Sequence, residues 1–158
     1  MSAPAIETVS ARTLVDESFF ARLSHRVATA HGLDSATAET IADQAIAYLA
    51  AAAQKASGSP AYSPSPAVDQ GVHAFLEYTQ EYDDFFTSHG WPKVHHHPHD
   101  VPGRTYEPAA VILERTTRAI QEAGFLLDAE LWAATTVSCG GDDSDGQPGD
   151  PLPCGDHG

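Results

Sequence analysis

The 158-residue chain has few of the residues that mark several large protein classes. It holds two cysteines, so no disulfide framework is expected, and it has no apolar run long enough to cross a bilayer. Only eight Lys and Arg oppose 22 Asp and Glu, and the formal charge of −14 disfavours binding to nucleic acids and anionic membranes. The opening stretch MSAPAIETVS lacks the basic start and apolar core of a secretory signal. We therefore expect a cytoplasmic protein that binds neither nucleic acid nor a membrane.

Apolar residues recur at three- and four-residue steps through most of the chain, a spacing typical of helices, and no period-2 strand pattern is visible. The predicted fold class is all-α, with one compact domain of about four helices over residues 13–137. Helices are expected after Asp16, after Asp34 or Ser35, from Pro66 to Gly90, and from Glu107 and Pro108 to Gly124, followed by a short turn that Asp128 caps.

Two segments lack this periodicity. WPKVHHHPHDVPG, residues 91–103, holds three prolines and is predicted to be an irregular loop across the helical surface. Residues 138–158 are rich in Gly, Pro and Asp and contain no Lys or Arg. Such a composition buries too little apolar surface to offset the ordering entropy, and we predict a flexible tail.

Nine histidines are unusual in so short a chain, and four of them lie within five residues of the predicted loop: His95, His96, His97 and His99. Imidazole nitrogens suit Zn, Cu, Fe or Ni better than hard cations. Adjacent residues of an extended segment point in opposite directions, so at most two of the first three face one ion easily. The missing ligands must then come from another element. The third helix offers His73, with Asp69 four residues earlier on the same face, where its carboxylate either orients the imidazole or ligates the ion directly.

The stretch SPSPAVDQGVHAFLEYTQEYDDFF, followed by VHHHP, resembles a group of small actinomycete proteins labelled glycine-rich domain-containing, in which a VDxxWHxFxxxTxxYxxFC segment leads to a GRFxHHxP segment. The likeness extends over roughly residues 13 to 140. The resemblance implies that Asp69, His73, Thr79 and Tyr82 meet His95 and His96 of the loop. It implies no reaction.

This chain departs from the pattern at two positions of the third helix. Val72 stands where the aromatic residue before the histidine is usual, and Phe86 stands at the usual cysteine position. The relatives also carry Cys-rich tails, whereas Cys139 and Cys154 are the cysteines of this chain. These departures weaken a thiol-based function and leave the histidine set intact.

The leading hypothesis is a transition metal (Cu, Zn, Fe or Ni) held by His73, His95 and His96, with Asp69 in support. Three protein ligands leave a coordination position open, as in catalytic zinc sites, and Tyr82 is then a candidate proton donor or orienting group. The enzymatic version is a metal-dependent tailoring step in secondary metabolism that acts on a small-molecule or peptide substrate.

Three other interpretations stay open at this point. In the first of them, the helical domain is a carrier or recognition module, and its tail, with Cys139 and Cys154, is the functional or modified segment. In the second, acid–base catalysis takes place without a metal and is performed by Asp69, His73 and Tyr82. The structural interpretation is that the loop histidines form a solvated surface and that Asp69 and His73 are an ordinary helix-surface pair.

Overall fold

The computed structural model describes residues 7–96 and 107–133. Within these ranges the backbone forms no strand, and an isolated parallel bridge joins Val9 to Phe125. A 3₁₀ turn, Ala11–Leu14, precedes the helices α1 (Glu17–His31), α2 (Ser35–Ala53), α3 (Pro66–Glu77), α4 (Thr79–His89), α5 (Ala109–Glu122) and α6 (Ala129–Ala133). The all-α prediction is confirmed for this part of the chain. None of these helices combines the length and the apolar character that crossing a membrane requires.

Several predicted helix ends have the expected local chemistry. The Asp34 carboxylate accepts a hydrogen bond from the Thr37 backbone N–H at 2.7 Å and so caps α2. Ser65 caps α3 in the same way, and Pro66, which lacks an N–H, follows it. Gly90 ends α4 with φ +70°, a left-handed conformation that glycine adopts without steric cost. The loop after α4 therefore starts where the sequence predicts it.

The prediction of one continuous helix from Pro66 to Gly90 is wrong, because the helix breaks at Tyr78, where φ is −92° and ψ is 71°. The ring centroids of Phe75 and Phe85 lie 5.6 Å apart. In a straight helix, ten residues would separate them by about 15 Å along the axis. The break lets both rings enter the same core, and regular apolar spacing in the sequence does not reveal it. With the short α6, it brings the number of α-helices in the described residues to six rather than four.

Helix α2 is the centre of the core. Its run of alanines is buried almost throughout, and α1 and α3 pack against it. A Cβ atom built on Gly71 of α3 would lie 2.8 Å from the Ala45 Cβ of α2, so the two backbones approach each other closely there. The buried side chains of α1 are Phe19, Phe20, Leu23 and Val27, which recur at helical spacing in the sequence, together with Ser24. This close packing fixes the position, relative to α2, of the α3 turn that carries Asp69 and His73.

The C-terminal elements dock on α2 through Gln44, whose side chain is 1% exposed. Its amide nitrogen donates to the Leu126 carbonyl at 2.8 Å. Its amide oxygen accepts from the Asp128 N–H at 3.0 Å and from the indole N–H of Trp132 at 2.8 Å. Asp128 also caps α6 by accepting from the Leu131 N–H, as predicted. The Gln44 amide thus holds the end of the described chain together with the backbone hydrogen bonds of Val9 to Gly124 and Leu126.

Helix α5 is only partly buried, and two predicted features lie outside the described residues. In α5 the buried residues are Thr116 and Ile120, whereas the apolar Val111 is 47% exposed. The predicted tail at 138–158, with Cys139 and Cys154, and the loop residues His97 and His99 lie outside the described residues.

Candidate metal centre

Asp69 and His73 lie one turn apart on α3, on the side of the helix next to the loop after α4. Their side chains are 14% and 32% exposed, so they form a recessed pair rather than a solvated one. Ser65 caps the first turn and Gly71 packs against α2 between them. The position of both side chains is therefore set by a capped helix on a tightly packed neighbour.

The loop after α4 folds back along that helix and brings the third residue of the site. The Trp91 N–H donates to the Phe86 carbonyl at 2.9 Å, which turns the chain. The hydroxyl of Tyr82 then donates to the Val94 carbonyl oxygen at 2.6 Å. Two residues later, His96 reaches His73, which lies 23 positions earlier in the sequence.

Three ligand atoms converge at this point. The Nε2 atoms of His73 and His96 lie 3.1 Å apart, with the two rings nearly perpendicular at 78°. The Asp69 Oδ2 atom lies 3.5 Å from the same Nε2 of His73. All three ligand atoms, one from each residue, lie within 4.8 Å of one another. One carboxylate and two imidazoles thus face a common position.

The surroundings favour the neutral form of His73. Burial lowers the pKa of its ring, the positive charge of a protonated His31 lowers it further, and Glu77 acts in the opposite direction. A neutral imidazole has the lone pair that a metal ion requires. Glu77 itself makes an ion pair with Arg26 of α1, so its carboxylate links two helices.

Two buried phenols lie near the three residues. Burial raises the pKa of Tyr82 to about 12, and the nearby Asp83 carboxylate adds to the effect. Burial also raises the pKa of Tyr48 on α2, and the charge of Asp69 contributes in the same direction. Sequence reasoning did not find Tyr48, because it stands in an alanine-rich stripe and is read simply as core. Its proximity to Asp69 follows from the packing of α2 on α3.

The structure brings together Asp69, His73 and His96 of the predicted set. His95 is exposed and lies outside the group of three. Thr79, which the resemblance also implies, is exposed at the start of α4. Adjacent loop histidines therefore differ in placement, in line with the alternation expected of an extended segment.

No family model, curated protein or solved structure matches this chain. The resemblance to the glycine-rich domain-containing proteins therefore stays a prediction. The geometry of the three residues has to carry the functional interpretation by itself.

Proposed function

We propose that this protein binds one divalent transition-metal ion through Asp69, His73 and His96. The observation that carries the proposal is the 3.1 Å approach of two imidazole Nε2 atoms beside a carboxylate oxygen. Two nitrogens bound tetrahedrally to one zinc ion at ordinary bond lengths are about 3.3 Å apart. The separation of the two ring nitrogens is close to that value.

A hydrogen bond between the two rings is the simplest competing explanation. In that case one Nε2 carries the proton and the other accepts it. The Nε2 of His73, however, faces both the His96 ring and the Asp69 carboxylate, and one N–H does not point at both. A cation between the three atoms interacts favourably with each of them. The convergence of three ligand atoms therefore favours an ion over a single proton.

Asp69 is proposed as a direct ligand rather than in the supporting role of the leading hypothesis. A carboxylate that orients a metal-bound histidine accepts a hydrogen bond from the other ring nitrogen. The Asp69 oxygen instead lies 3.5 Å from Nε2, the atom that also faces His96. The carboxylate is thus on the side of the ring where the ion is expected.

Two histidines and one carboxylate are a ligand set that serves zinc hydrolases and non-haem iron enzymes. Three protein ligands leave at least one position for water or a substrate, and His96 is exposed, so the ion would be accessible from solvent. A metal-dependent reaction on a small molecule or peptide is the enzymatic form of this proposal. Its assignment to secondary metabolism stays a prediction.

Metal titration of untagged, chelator-stripped protein tests the proposal. Wild type should take up one Zn²⁺ or Co²⁺ per chain, and His73→Ala and His96→Ala should each lower the affinity by more than about 100-fold, beyond the loss typical of an outer-shell residue. Asp69→Asn should also exceed that range if the carboxylate binds the ion directly.

His95→Ala is the matched control, because it removes an imidazole from the adjacent position of the same loop. It should leave the affinity within about threefold of wild type, since His95 lies outside the group. Equal losses for His95→Ala and His96→Ala, with full binding by His73→Ala, would mean that the loop alone chelates the ion.

A further inference from the structure

The segment that delivers His96 is attached to α4 at several points. Trp91 stacks on His89 with ring centroids 4.5 Å apart and an angle of 15°. Lys93 makes an ion pair with Asp83, and both side chains are about half exposed. The Tyr82 hydroxyl holds the Val94 carbonyl oxygen at 2.6 Å. These contacts make residues 91–94 a strap along α4, and His96 follows directly after it.

The contacts of the strap are unequal. The ion pair is exposed, and such pairs contribute little because solvent screens them. The Tyr82 side chain is buried, with 3% of the residue exposed, and its ring packs edge-on against Phe75 and Phe86 at 5.3 and 5.0 Å. A hydroxyl fixed on so rigid a ring holds its acceptor in one place. The Tyr82 contact is also the last of these attachments before His96.

We propose that Tyr82 is the positioning residue of the metal site: its hydroxyl holds the Val94 carbonyl and thereby keeps His96 against His73. This inference rests on the proposed metal binding for its effect on affinity. The tether itself acts also in the metal-free protein. Without it, His96 samples positions away from His73, and the apparent affinity falls in proportion to the fraction of molecules that are competent to bind.

This role differs from that of a proton donor at the ion. The hydroxyl directs its proton to the Val94 carbonyl oxygen. Burial keeps the pKa of Tyr82 high, at about 12, so the donor is present throughout the neutral range. A positioning residue changes the geometry of the site before any ion arrives, whereas a proton donor at the ion does not.

The test compares Tyr82→Phe with Tyr78→Phe in the full chain. Tyr78 supplies a matched control, because its partly buried ring also packs edge-on against a core ring, that of Phe19 at 5.4 Å, and it lies four residues earlier. Two quantities are measured for each protein: the Zn²⁺ affinity by competition with a chelator, and the nuclear Overhauser contact between the His73 and His96 rings without metal.

We expect Tyr82→Phe to lose the ring contact and to bind Zn²⁺ roughly 10- to 100-fold more weakly, with Tyr78→Phe unchanged. Retention of both the contact and the affinity in Tyr82→Phe overturns the inference. A weaker affinity with the contact retained also overturns it, because the hydroxyl would then act at the ion. If wild type binds no metal but the contact is lost in Tyr82→Phe alone, the metal proposal fails and the tether stands.

A second variant covers the case in which Tyr82→Phe does not fold. Insertion of two glycines after Val94 leaves the tyrosine and its hydrogen bond intact but uncouples His96 from the strap. Loss of the ring contact in this variant supports the positioning role. Retention of the contact shows that His96 finds His73 without the strap and contradicts it.

Discussion

Gln44 on α2 and the group Asp69, His73 and His96 are two polar sites on neighbouring helices, and they are completed in different ways. The Gln44 amide is buried, and the backbone and Trp132 satisfy both its nitrogen and its oxygen at 2.8 to 3.0 Å. In the histidine site, two ring nitrogens and a carboxylate oxygen face one another. The first set pairs donors with acceptors, whereas the second assembles atoms that ligate cations.

The difference separates a structural site from a candidate functional one. A buried amide whose donors and acceptors are all matched stabilises one arrangement of the chain and offers nothing to a ligand. A group of ligand atoms that is one-third exposed at His73 and more open at His96 keeps a route to solvent. The free energy of unfolding at neutral pH should therefore respond mainly to changes at the first site, and metal affinity to changes at the second.

The largest effect on stability is expected for Gln44→Leu. The substitution keeps the approximate size but removes the hydrogen bonds that the Gln44 amide makes with the Trp132 indole N–H, the Asp128 N–H and the Leu126 carbonyl. Each lost hydrogen bond costs about 1 kcal/mol, so the free energy of unfolding should fall by about 3 kcal/mol. Urea denaturation measures it.

Gln54→Leu is the control for that change, because the Gln54 amide donates to the Ala50 carbonyl at the end of its own helix. It should shift the free energy of unfolding by no more than about 0.5 kcal/mol. Similar losses for the two variants would show that Gln44 does not organise the C-terminal elements.

A smaller loss is expected for Gly71→Ala, which tests the packing that supports the metal site. Helix propensity alone predicts stabilisation of about 1 kcal/mol. The new Cβ would lie 2.8 Å from the Ala45 Cβ and 3.0 Å from the Ile41 carbonyl oxygen, so we expect a net loss of about 1–3 kcal/mol. Thermal denaturation of Gly71→Ala, with Gln70→Ala at the adjacent position as the control, shows whether the substitution stabilises or destabilises the protein. A stabilised Gly71→Ala protein would contradict the close approach of α2 and α3.

The pH dependence of the free energy of unfolding of the metal-free protein tests the lowered pKa of His73. Its pKa is lowered in the folded state, chiefly by burial, so the unfolded chain binds a proton more readily. Above the ordinary histidine pKa of about 6.5 both states are neutral and His73 contributes no pH dependence. Below it, His73 lowers the free energy of unfolding as the pH falls.

His73→Gln, which does not titrate, should therefore lose less stability than wild type between pH 8 and pH 5. Urea denaturation at the two pH values measures the difference. An equal or larger loss in His73→Gln is incompatible with a lowered His73 pKa.

The smallest effect is expected for Lys93→Gln, which removes the exposed ion pair of the strap. Stability should change by less than about 0.5 kcal/mol, and the metal affinity by no more than about threefold. Competition with a chelator, measured for Lys93→Gln and Tyr82→Phe in parallel, compares the losses of metal affinity in the two variants. A loss as large as that of the tyrosine variant would assign the positioning of His96 to the ion pair instead.

Local chemistry made much of the fold predictable from sequence. Asp34 and Pro66 mark helix starts, and Gly32 and Gly90 mark helix ends, because caps and left-handed glycines act within one turn. The break at Tyr78 was not predictable in this way. It depends on contacts between rings that are distant along a straight helix, and such contacts leave no local signal.

The candidate site was predictable in part for the same reason. Asp69 and His73 share a helix face at four-residue spacing, and that spacing alone predicts their proximity. The choice of His96 over His95 depends on the course of the strap along α4, which the Tyr82 hydrogen bond helps to define. Tyr48 approaches Asp69 only through the packing of α2 on α3, so no motif contains it.

Anomalous diffraction from crystals of the zinc-loaded protein tests the central claim most directly. The account predicts one zinc peak, about 2.0–2.2 Å from Nε2 of His73, Nε2 of His96 and a carboxylate oxygen of Asp69. A peak bound by the loop histidines alone, or none near His73 in protein shown to be folded, would contradict it.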